Sequence, residues 1–80
     1  LYTESGMKDK SNEYKTEAIN KYNVDNNFIL VHFKNDSHPR GHYVVVTKLS
    51  GNNIIAKDPS GGKVSTISLD VVDQIVVYSA

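Results

Sequence analysis

The stretch Gly41–Gly62, GHYVVVTKLSGNNIIAKDPSGG, constrains this chain more than any other. His42–Leu49 alternates and is dense in β-branched and aromatic residues, with Val44, Val45 and Val46 in a row, which predicts a strand. Ser50, Gly51, Asn52 and Asn53 supply turn residues, and Ile54–Lys57 returns as a second strand. Asp58-Pro59 ends it, because Pro59 has no N–H to give a ladder and holds Asp58 extended. The expectation is an antiparallel hairpin opened by Gly41.

The open end of this hairpin is where chemistry gathers. His42 begins the first strand and Asp58 finishes the second, so antiparallel pairing brings them together. If Leu49 lies opposite Asn53, then Val44 lies opposite Asp58, and His42 and Asp58 become diagonal neighbours on one face. A slip by one residue sends Asp58 to the other face. An imidazole whose second nitrogen is held by a carboxylate is the base-plus-orienter half of a nucleophilic triad.

The string His42-Tyr-Val-Val-Val, a polar turn, then Ile54-Ile55-Ala56-Lys57-Asp58-Pro59 with Gly61-Gly62 resembles the C39-type peptidases of the papain-like cysteine peptidase superfamily. The resemblance runs from about Phe28 to the C-terminus and implies the C-terminal lobe of that fold, with His42 and Asp58 as the His and Asp of a Cys-His-Asp site. It also implies a peptide or protein substrate, no cofactor, and a missing N-terminal lobe that carries the cysteine and the oxyanion-hole residue. Free-standing relatives of this type are often secreted or attached to the cell surface, and the resemblance implies the same here. The chain departs from the pattern in having no cysteine at all. The transglutaminase-like branch of the superfamily also places a histidine strand before an Asp-Pro strand, but with tryptophan around both. This chain has none, and the valine triplet favours the peptidase branch.

Eighty residues make one small domain, taken here as residues 1–80 of a partial C39-like domain, and such a domain is marginal without help. With no cysteine there is no disulfide to provide that help, and the redox compartment cannot be read from cysteine usage. The formal net charge of +0 gives no electrostatic case for nucleic acid or an anionic membrane. The apolar runs are too short to span a bilayer. Because the chain starts at Leu1 and not at Met, it is read as a processed product or a piece of a longer protein.

Leu1–Ser11 is polar and reads as a loose lead-in. Asn12–Tyr22 reads as a helix, capped by Ser11 or Asn12, with Tyr14, Ala18, Ile19 and Tyr22 on its inner side. Phe28–Phe33 is an almost continuous apolar run and predicts a strand buried on both faces or nearly so. Lys34–Arg40 is a polar loop. Val64–Leu69 and Gln74–Ser79 read as further strands, with one turn of helix at Asp70–Asp73 capped by Asp70. The sum is α+β: one N-terminal helix on a mostly antiparallel sheet of about five strands.

Plainer readings stand beside each candidate. A histidine opening a strand is most often a polar residue at a sheet edge, and Asp before Pro is a common turn opening. His32 in an apolar strand reads as a satisfied core histidine. Gly51, Gly61 and Gly62 read as backbone geometry, since no Lys-Ser/Thr and helix start follow Gly61-Gly62 as a phosphate loop needs. His38 and His42 have a metal-like spacing, but Pro39 and Gly41 interrupt any helix between them, so no metal is assigned. Asp36, Ser37, His38 and Arg40 are better read as the rim of a cleft beside His42. Two functions follow: a peptidase lobe inactive without its cysteine, or a non-catalytic C39-like binding or structural module. An incomplete lobe leaves apolar surface open, which predicts self-association into a dimer or higher species.

Overall fold

The computed structural model describes Tyr2–Ser79. Helix α1 spans Asn12–Tyr22, and Ser11 caps it by accepting from the Tyr14 amide at 3.0 Å. Six strands follow the chain: β1 Tyr2–Glu4, β2 Asn27–Phe33, β3 His42–Ser50, β4 Asn53–Lys57, β5 Val64–Ser68 and β6 Val72–Ser79, with a 3-10 helix at Leu69–Val71. They form one sheet in the order β1-β6-β2-β3-β4-β5, and every neighbouring pair is antiparallel. The class is therefore α+β with one helix on an antiparallel sheet.

The sheet has six strands where the sequence reading has five. The extra one is β1, in the stretch read as a loose lead-in. Tyr2 faces Val77 and Glu4 faces Ile75 across the β1–β6 ladder. Further ties hold this segment. The Tyr2 ring stacks on Tyr22 at 4.6 Å, and Glu4 accepts hydrogen bonds from the Tyr2 and Tyr14 hydroxyls. Met7 is fully buried, and its amide donates to the Asp73 carbonyl at 3.0 Å. The turn after β5 also differs in detail: it is a 3-10 turn over Leu69–Val71, and its cap is Ser68, whose hydroxyl accepts from the Asp70 amide.

The two faces of the sheet are unlike. α1 and the 3-10 helix cover one face, where Ile29, Val31, Phe33, Val44, Ile54 and Ile75 are all buried. On the other face no helix packs, and β2 alternates accordingly: Phe28 is 55% exposed, with Leu30 and His32 half-buried. So β2 is buried on one face, not on both, because one helix can cover only one side of a sheet. The inner side of α1 is also rotated from the expected one. Lys15 and Ile19 are buried, while Tyr14 is exposed and reaches Glu4. The buried lysine is satisfied at its tip, since Nζ donates to the Leu69 carbonyl at 2.6 Å.

The hairpin at the centre is built with an irregularity. Ser50 faces Asn53, Leu49 faces Ile54 and Lys48 faces Ile55, so Gly51-Asn52 is a two-residue turn. Gly51 has φ 60°, the left-handed value that the first position of a type II′ turn requires. The expected facing of Leu49 and Asn53 is thus one residue off. Beyond Lys48 the register shifts: Val46 faces Ala56 and Val45 faces Lys57, leaving Thr47 as the extra residue of a β-bulge. Leu49 and Val46 thereby both pack against the core although they lie three positions apart. Past the bulge the register is the one the sequence reading needed, and His42, Val44 and Asp58 fall on the helix-covered face.

Candidate functional site

His42 and Asp58 are joined directly. His42 Nε2 lies 2.7 Å from Asp58 Oδ2, and the two side chains are 25% and 28% exposed, so the pair is half-open to solvent. Asp58 is held from several directions. Its other carboxylate oxygen, Oδ1, accepts from the Ser60 amide at 2.8 Å. Its own amide donates to the Lys63 carbonyl at 2.8 Å, and its carbonyl accepts from the Gly62 amide at 2.7 Å. The Asp58-Pro59-Ser60-Gly61-Gly62 loop is therefore wound around one residue, with Gly62 at φ 70° closing it.

This environment decides the tautomer. The Ser60 amide, and after it His42, hold the Asp58 carboxyl below its ordinary range. An ionised carboxylate only accepts, so the hydrogen between the two side chains belongs to His42 Nε2. In the neutral ring Nδ1 then carries the lone pair, and no hydrogen bond engages it among the described residues. An imidazole oriented this way can take a proton at Nδ1 while the carboxylate stabilises the resulting cation.

The pair sits in a cleft of about 320 Å³. Its lining includes the buried apolar Phe33 and Val44 and the polar Asn35, Ser37, His38, Lys63 and Thr66. Of the loop residues read as a rim, Ser37 and His38 line this cleft, while Asp36 and Arg40 do not. His38 does more than border it. Its ring lies flat on His42, centroid to centroid 4.4 Å and 8° from parallel. Two stacked imidazoles direct their lone pairs along parallel planes instead of converging on one ion, so their metal-like spacing does not become a metal geometry. No group of three metal-ligating side chains occurs among the described residues.

The structure contains a second histidine–aspartate pair that the sequence reading did not find. His32 Nδ1 lies 2.6 Å from Asp73 Oδ1, on the sheet face opposite α1. His32 is thus a satisfied histidine, as expected, but one that keeps 17% of its side chain exposed and whose partner is 41 residues away. No local pattern signals such a pair. On its remaining side the His32 ring rests on Gly41: a Cβ at position 41 would sit 2.2 Å from His32 Nε2. With φ 97° as well, position 41 excludes side chains twice over.

Among the described residues no helix is long and apolar enough to cross a membrane. Compared with protein families, curated proteins and solved structures, the chain matches none.

Proposed function

We propose that this chain is the part of a C39-like, papain-like cysteine peptidase domain that supplies the general base, His42, and its orienting carboxylate, Asp58. The observation carrying this reading is the 2.7 Å contact between His42 Nε2 and Asp58 Oδ2, with Asp58 Oδ1 pinned by Ser60, in a pair that lines a cleft. Since the chain has no cysteine, the nucleophile comes from polypeptide outside these residues. In the assembled site Nδ1 takes the thiol proton, and the thiolate adds to the scissile carbonyl of a peptide. The imidazolium gives its proton to the departing amine as the C–N bond breaks, and water then hydrolyses the thioester. Asp58 stays ionised throughout and holds the ring in the productive tautomer. No cofactor enters. The partners in this reading are a peptide or protein substrate, the cysteine-bearing lobe and, through uncovered apolar surface, a second copy.

A second reading has its own observation. The His32–Asp73 pair on the other face has the same chemistry, so this sheet also uses histidine–aspartate contacts simply to tie strands together. On that reading the His42–Asp58 pair is structural and the domain is a non-catalytic binding module. The deciding experiment uses the product of the complete reading frame, assayed against a peptide library and a thiol-directed electrophile. Hydrolysis that is lost in His42→Ala and blocked by the electrophile supports the peptidase. A folded full-length protein with no thiol-dependent cleavage supports the binding module.

A further inference from the structure

His38 is tied to the site more firmly than a loop residue bordering a cleft needs to be. It is the corner shared by two consecutive turns. In the first its amide donates to the Asn35 carbonyl at 3.1 Å and to Asn35 Oδ1 at 2.8 Å. In the second its carbonyl accepts from the Gly41 amide at 3.0 Å. The second turn, His38-Pro39-Arg40-Gly41, has proline and glycine where a type I turn favours them. Both backbone groups of His38 are therefore spent on placing it, and one bond runs directly to the residue before His42. The side chain is placed as closely: flat on His42 at 4.4 Å, and edge-on to Phe33 at 5.6 Å.

We propose that His38 is a positioning residue for His42. Asp58 fixes one point of the His42 ring, at Nε2, but a single hydrogen bond leaves the ring free to rock about that point. Phe33 meets His42 only by an edge, with ring centroids 6.0 Å apart. The flat His38 ring closes the remaining freedom and fixes the plane of the His42 ring, and with it the direction of Nδ1. A base that must meet a thiol within hydrogen-bond reach needs that second constraint, because a small misplacement of a reacting group costs rate heavily. The inference rests on the catalytic reading of His42 for its purpose, but the clamp itself is a property of this chain.

The test reads the clamp without substrate. In the 80-residue chain, labelled with 15N, the quantity read is the rate at which the His42 Nε2–H proton bonded to Asp58 exchanges with water. His38→Ala speeds that exchange at least roughly tenfold, while β2–β6 amide shifts stay in place, and His38→Phe, which restores a flat ring, returns it to the wild-type rate. Should His38→Ala disturb the sheet, Asn35→Ala substitutes for it, since that variant keeps the ring and loosens only its turn; it too speeds exchange. Unchanged exchange in His38→Ala, or in Asn35→Ala where that variant is used, overturns the proposal, as does failure of His38→Phe to restore protection. In the full-length protein His38→Ala lowers kcat about tenfold with KM held, and His38→Phe recovers it. Faster exchange in a full-length protein that cleaves nothing leaves the clamp standing and removes only the peptidase reading.

Discussion

The Thr47 hydroxyl donates to the Ile55 carbonyl at 2.8 Å, closing the one irregularity in the central hairpin. Everything upstream of that contact is in phase with the core because of it. With a two-residue turn at Gly51-Asn52 and Thr47 paired in the ladder without a bulge, Thr47 would lie opposite Ala56 and Val45 opposite Asp58. Tyr43 and Val45 would then face the core, and His42 would face away from Asp58. The bulge absorbs one residue and restores the phase.

Deleting Thr47 therefore leaves the site intact. Val46 already faces Ala56 and Lys48 already faces Ile55, so removing the residue between them yields a regular ladder with the same partners. The expected result is a folded protein whose His42 Nε2–H signal persists. Loss of that signal in a folded deletion variant would mean that the bulge shapes the site beyond setting its phase.

This is also where the sequence was most and least informative. The strands of the hairpin, the Gly51 turn, the Ser11 cap and the meeting of His42 with Asp58 are legible because each rests on local residue chemistry. The facing of Leu49 with Asn53 was the wrong route to the right face, since the actual turn is one residue tighter and Thr47 compensates. A clue lay in the spacing of Val44, Val46 and Leu49, two and then three, which a regular strand cannot place on one side. The His32–Asp73 pair, β1 and the burial of Lys15 were not legible, because each depends on partners 41 to 75 residues away.

Met7 tests the lead-in directly. A loose segment tolerates Met7→Ala without effect, whereas a fully buried methionine costs about 2–5 kcal/mol on truncation. Against the few kcal/mol a domain this small holds, chemical denaturation should show a large fall in midpoint. An unchanged midpoint would contradict the burial of this segment.

Asp58 gives the acid limb a predictable sign. Its carboxyl is held below the ordinary range by the Ser60 amide first and His42 second, so the folded state binds its proton less readily than the unfolded chain does. The stability this contributes is complete above the unfolded value of about 4 and is lost as pH falls through the lower folded value. Asp58→Asn should flatten that part of the stability curve between pH 5 and pH 2, to about the extent that no other carboxylate takes over. Equal acid slopes for wild type and variant would show that the carboxylate is not held as described.

Lys15 gives the alkaline limb the opposite kind of linkage. Burial first, and repulsion from Lys8 second, hold its ammonium below the ordinary lysine value. Between the folded value and the unfolded one near 10.4, the unfolded chain binds more protons, so stability from this group rises with pH. Lys15→Met keeps the packed stem and removes the titration. The wild type should gain on Lys15→Met as pH is raised from 7 to 10, read as the difference in their unfolding free energies. A difference that shrinks over that range refutes the burial of the charge.

The strand order carries a consequence for how the molecule assembles. β2, β3, β4 and β5 follow one another in space as they do along the chain, whereas β6 must slot between β2 and β1 from the far end. Short loops close cheaply and early, and distant pairings form late. The meander that carries His42 and Asp58 can thus take shape as a unit while the β1–β6–β2 half is still searching. Pulse-labelled hydrogen exchange during refolding should find β3 and β4 amides protected ahead of those in β6. The histidine and its carboxylate would meet before there is a finished domain around them.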